Sequence, residues 1–161
     1  MKTNTALLIV ITFLILGGAI FAFNGNGDQE IVEQVTSTSS LASDRQIHDF
    51  GDIDIFSGKV TTEFALTNDG SDDIVVTEGT TSCGCTDGEI GGISFGMHEK
   101  MSGDFTILAG ETKNLTVIYD PLAHGPSGTG KIDRQVFIKT NSTVTPELEV
   151  RVTANVTKDV S

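Results

Sequence analysis

The chain has 161 residues, with 10 Lys or Arg against 22 Asp or Glu and a formal net charge of -12. That length holds one domain of ordinary size, and 38% hydrophobic with 20% charged residues suit a folded chain rather than a disordered one. The acidic balance argues against nucleic acid as a partner, because phosphate binding needs clustered cations, and disfavours electrostatic docking on anionic lipid.

Residues 6–23 (ALLIVITFLILGGAIFAF) carry no charge, and Thr12 is their only polar side chain. As a helix they would span about 27 Å, near the thickness of the hydrocarbon core. Lys2 precedes the run, while Asp28 and Glu30 follow it. The positive-inside rule then leaves residues 1–5 in the cytoplasm and exports everything after Phe23. A cleaved signal would have a shorter apolar centre and a small-x-small exit. Ile20 stands where that exit needs a small residue, so the reading is an uncleaved, single-pass anchor in the cell membrane.

Mean hydropathy over the whole chain, anchor included, is only +0.04, so the remainder is distinctly polar. Residues 24–44 (NGNGDQEIVEQVTSTSSLASD) scatter their apolar residues singly and read as a flexible linker.

From Arg45 to the C-terminus, residues 45–161, the pattern has period two. Val60, Thr62, Phe64 and Leu66 share one face, as do Leu115, Val117 and Tyr119. Residues 148–156 alternate throughout, and residues 135–140 point Val136 and Ile138 inward. Residues 73–78 and 46–55 supply two more strands. Turn signals separate them at Asn68-Asp69-Gly70-Ser71, Ala109-Gly110-Glu111, Gly125-Pro126-Ser127-Gly128 and Asn141-Ser142. Short strands with no helical pattern predict an all-β, Ig-like antiparallel β-sandwich. Asp49, Asp52 and Asp54 suit an edge strand kept from aggregating by charge.

Three strings carry a resemblance: His48-Asp49-Phe50-Gly51-Asp52-Ile53, then Glu63 to Gly70 (EFALTNDG), then Thr81-Ser82-Cys83-Gly84-Cys85-Thr86. With Ala109-Gly110-Glu111, Tyr119-Asp120-Pro121 and Lys139-Thr140-Asn141 following in order, the sequence resembles the bacterial exported domain-of-unknown-function family 1573. The resemblance implies an Ig-like fold and an envelope location, and no activity. The sequence departs from the family pattern at Ala109, where Pro is usual before the Gly-Glu turn, and in a long stretch from Gly88 to Gly103.

The chemistry lies at Cys83-Gly84-Cys85, the only two cysteines in the chain. In extended backbone, residues two apart point to one face, so both thiolates can meet one soft ion while Gly84 permits a tight bend. A disulfide across that spacing is marginal and readily reduced. Outside the cytoplasm, paired thiols persist only when oxidised, metal-bound or buried. Three readings therefore stand: a structural turn, a metal site and a redox pair. Met97, His98 and Met101 follow the cysteines, and His124 lies beside Gly125-Pro126. Thiolate, thioether and imidazole together suit Cu(I). A Zn(II) site of Cys83, Cys85, His98 and His124 is conceivable but follows no standard zinc spacing.

No Gly-x-Ser-x-Gly elbow, phosphate loop or His-Glu-x-x-His is present, and no spacing pairs a nucleophile with a base. The expectation is a non-enzymatic, membrane-anchored binding or structural module of the bacterial cell envelope with a protein partner there. Its alternative is a Cu(I)-binding or thiol-redox protein using the Cys-Gly-Cys motif.

Overall fold

The computed structural model describes residues 35–158, and every regular element there is a β-strand. In chain order these are β1 (Leu41–Ser43), β2 (Ile47–Asp54), β3 (Val60–Asn68), β4 (Ile74–Thr81), β5 (Thr86–Ile90), β6 (Ile93–Gly96), β7 (Phe105–Ile107), β8 (Thr112–Tyr119), β9 (Gly130–Thr140) and β10 (Glu147–Thr157). One five-stranded sheet runs β1-β3-β8-β5-β6, and the other β2-β10-β9-β4-β7. The arrangement is all-β and consistent with an Ig-like sandwich, as the alternation predicts. The predicted membrane helix at 6–23 lies outside the described residues.

Alternation places the core. Thr62, Phe64, Leu66 and Asn68 of β3 face Leu115, Val117 and Tyr119 of β8 within the first sheet's buried surface. Val136 and Ile138 of β9 and Val150, Val152, Ala154 and Val156 of β10 supply the other. Burying one face of each sheet gives this period-two pattern. The interior divides into a main cluster around Phe64, Ile74, Phe95 and Val152 and a smaller one of Ile53, Ile55, Cys85, Tyr119, Ala154 and Val156.

One pairing departs from the antiparallel expectation. β2 runs parallel to β10, with a register shift between Thr153 and Asn155. Parallel partners must be joined by a long crossover, and here nearly the whole domain separates them in sequence. β2 is an edge strand, as its Asp residues suggest.

The structure also corrects the end of the linker. Residues 37–43 belong to the sandwich: Ser37 bridges to Ser142, and β1 pairs with β3. Ser37, Ser39 and Leu41 are buried. A Ser/Thr-rich segment reads as spacer because it lacks an apolar pattern. Here its hydroxyls find buried partners instead, such as Ser39 Oγ, which accepts from Asp72 N at 2.8 Å. Gly70 allows that approach, since a Cβ there would sit 2.1 Å from Ser39 Oγ.

This strap should loosen in acid. Thr38 donates its hydroxyl (2.7 Å) and its amide (3.3 Å) to Asp72 Oδ2, and these bonds hold the carboxyl below its usual value. A depressed folded-state pKa adds stability that is complete above the ordinary Asp range, near 4, and is lost as pH falls through the folded value. The protection factor of the Thr38 amide is expected to fall on acidification below that range, and Asp72→Asn to remove the dependence. Protection that is flat with pH in the parent chain would refute the coupling.

The stretch from Gly88 to Gly103 is not one long loop. Its first part is the β5–β6 hairpin, with Ile90 paired to Ile93 and Gly91-Gly92 at φ 59° and 81° between them. Two successive positive φ values make the kind of turn that suits a two-residue hairpin. β7 then joins the other sheet beside β4. The substitution of Ala for the usual Pro at 109 also has a role, because Ala109 N donates to Asp73 Oδ1 at 2.9 Å. Proline has no such hydrogen.

Candidate metal and thiol site

The chain leaves β4 in one sheet at Thr81 and enters β5 in the other at Thr86. The two cysteines sit on this crossing. Ser82 anchors its first step by donating to Gln135 O at 3.0 Å and accepting from Gln135 N at 2.9 Å. Thr86 N closes a turn onto Cys83 O at 3.1 Å, and Thr81 Oγ1 also reaches that carbonyl at 3.1 Å. The turn brings the cysteine Cα atoms to 5.2 Å, and their sulfurs are joined as a disulfide. The spacing that looks marginal in extended backbone is met because the segment is a turn.

The two sulfurs have different surroundings. Cys85 is only 2% exposed, within the smaller core cluster beside Tyr119 and Ile55. Arg134, on β9, donates from Nε to Cys85 Sγ at 3.2 Å, and the Thr86 hydroxyl lies 3.7 Å from the same sulfur. Cys83 is half-buried and packs at the margin of that cluster. Its Sγ lies 3.2 Å from Nε2 of His124, an exposed residue in the turn after β8. That turn is fastened at its root, where Asp120 N donates to Cys85 O at 2.9 Å and Asp120 Oδ1 accepts from Leu122 N at 2.9 Å. Burial pushes the Tyr119 phenol above its usual value, with the Arg134 guanidinium pulling it back and Asp120 adding to the rise.

The ligand atoms of Cys83, Cys85 and His124 all lie within 4.8 Å of one another. His98 is next. It lies over Gly84, where a Cβ would stand 3.7 Å from its Cδ2 and 3.9 Å from its Nε2. The methionines are placed differently. Met97 is exposed, and Met101 packs against the main cluster rather than the one that takes the cysteines. Arg134 is the neighbour that sequence reading missed. A strand begun at Gln135 stops one residue short of it, and its only signal was a lone cation before an alternating run.

A family model described as "Protein of unknown function (DUF1573)" matches residues 41–156. The chain belongs to this family. No curated protein matches the sequence. Among solved structures, a protein of unknown function from Porphyromonas gingivalis W83 is similar at a TM-score of 0.58 and 15% identity, over 75% of this chain and 49% of that one. The chain thus spans about half the length of that protein. A family 123 glycoside hydrolase from Clostridium perfringens is similar at a TM-score of 0.50 and 8% identity, over 77% of this chain and 28% of that one. At such identities the likeness is one of fold alone.

With the disulfide open, the sulfurs of half-buried Cys83 and buried Cys85 and the exposed imidazole of His124 form one group of donors in this DUF1573 domain. That donor set is soft and suits Cu(I) better than a hard cation. With the disulfide closed, neither sulfur is a thiolate ligand. Metal binding and oxidation are therefore mutually exclusive states of the same pair.

Proposed function

We propose that this chain is a membrane-anchored module of the bacterial envelope that works by binding, its Ig-like domain facing away from the cytoplasm. The anchor is residues 6–23. At the cysteine end the reduced domain takes Cu(I) on Cys83, Cys85 and His124. The observation that carries the metal reading is the convergence of those three ligand atoms within 4.8 Å. His98 lies over Gly84, outside the group of converging ligand atoms. The family supplies no activity to set against this reading.

A Cu(I) competition titration of the reduced, anaerobic chain tests it, with one ion per chain expected. The anchor has its own test. Washing membranes at high pH is expected to leave the chain in the pellet with residues 6–23 still attached. A soluble product beginning near residue 24 would refute the anchor.

A further inference from the structure

The unequal surroundings of the two sulfurs go beyond copper binding, because they bear on the oxidised pair. Thiol–disulfide exchange begins when a thiolate attacks the sulfur it can reach, and it runs faster when the other sulfur leaves as a stabilised anion. Cys83 is the reachable sulfur, half-buried at the surface with an exposed imidazole beside it and only the neutral Cys85 N–H donating to it, at 3.2 Å. Cys85 is 2% exposed, and the group donating to its sulfur is a guanidinium, which keeps its charge at any pH of interest. A charged donor and a hydroxyl at one buried sulfur hold negative charge better than they hold a neutral thiol.

We propose that the oxidised chain is a directional disulfide oxidant that accepts two electrons from paired thiols, with Cys83 as the attacked sulfur and Cys85 as the leaving group on Arg134. The donor's thiolate forms a bond to Cys83 Sγ, and the Cys83–Cys85 bond breaks with its electron pair going to Cys85 Sγ. The proton of the incoming thiol goes to solvent. A second donor thiolate then attacks the donor sulfur of the mixed disulfide. The donor leaves as its own disulfide, and Cys83 departs and is protonated from solvent. The donor's second proton goes to solvent. Two electrons pass to the pair, leaving a Cys83 thiol and a Cys85 thiolate paired with Arg134.

The experiment uses the full chain in mild detergent, oxidised, with a metal chelator present so that copper plays no part. Reduced glutathione is the probe, and the reaction is quenched with acid and read by mass spectrometry. Glutathione is expected on Cys83 alone, and half-reduction at millimolar glutathione, whereas structural disulfides of exported proteins resist that reductant. At fixed oxidised glutathione, Arg134→Gln should raise the reduced glutathione needed for half-reduction about three- to tenfold, from the loss of a charge-assisted bond to the leaving sulfur. Arg134→Lys should recover part of it. With oxidised glutathione in place of reduced, the lone Cys83 thiol of Cys85→Ser should take up glutathione as a mixed disulfide and release one reduced glutathione, and the buried Cys85 of Cys83→Ser should not. Glutathione on Cys85, a disulfide that resists millimolar glutathione, or an Arg134→Gln chain that titrates like the parent would each overturn the proposal. The site of modification is read on the parent chain, so the outcome does not depend on whether a variant folds.

Discussion

Phe95→Ala is expected to lower the free energy of unfolding by about 3–5 kcal/mol, the usual cost of emptying a buried aromatic site. Phe95 is 1% exposed and lies between two glycines on opposite sheets, Gly79 of β4 and Gly88 of β5. A Cβ on Gly79 would stand 2.6 Å from the ring's Cγ, and one on Gly88 would stand 2.3 Å from its Cζ. The ring thus fills space that two missing side chains leave. Gly88→Ala should itself destabilise by about 1–3 kcal/mol, because the ring cannot retreat without moving backbone. The two sites share one volume, so Gly88→Ala combined with Phe95→Leu should cost clearly less than the two changes added. Urea unfolding of the four chains measures this. Additive costs would mean that the ring is not wedged between the sheets.

Replacing both cysteines by serine is expected to abolish stoichiometric Cu(I) binding while leaving the sandwich folded. A hydroxyl stays protonated at neutral pH and is too hard a donor for Cu(I). His124→Ala removes one imidazole and should weaken binding by at least about tenfold, the low end of what even outer-shell changes cost. The folded state survives because the disulfide closes a minimal loop, with a sequence separation of 2, and in the chain-entropy model so short a loop is worth less than about 2 kcal/mol. The unfolding midpoint of the double variant therefore serves as the control. Unchanged Cu(I) affinity in a folded Cys83→Ser, Cys85→Ser chain would assign the pair a structural role only.

The copper titration and the glutathione exchange read different states of one pair. Copper requires the reduced form and reports on His124, whereas exchange requires the oxidised form and reports on Arg134. Either can fail while the other holds.

Much of the sandwich was legible in the sequence because most of its strands bury one face and leave the other in water. Val60 to Leu66, Leu115 to Tyr119 and Val150 to Val156 alternate for that reason alone. β5 and β6 escaped because glycines 88, 91, 92 and 96 occupy positions where alternation would show. Glycines 88, 91 and 92 are required by Phe95, by Phe105 against Gly91 and by the hairpin turn, all of which are contacts made in space. Residues 37–43 escaped because, beside the pairing of β1 with β3, the segment is tied by hydroxyl bonds to Asp72 and to residues 141–145, and hydropathy carries no record of that.

The chemistry divides along the same line. Sequence alone determined that two thiols stand two residues apart after a strand, with histidines in later loops, because spacing along a chain is local. Which histidine meets a sulfur, which sulfur is buried and which cation faces it are questions of distance between elements far apart in sequence. His124 reaches Cys83 because Asp120 ties the turn after β8 to the carbonyl of Cys85. Arg134 reaches Cys85 because β9 runs beside the point where the chain crosses between sheets. Only the tertiary structure made the two cysteines chemically different, since burial and charge at a sulfur are set by what the fold packs around it.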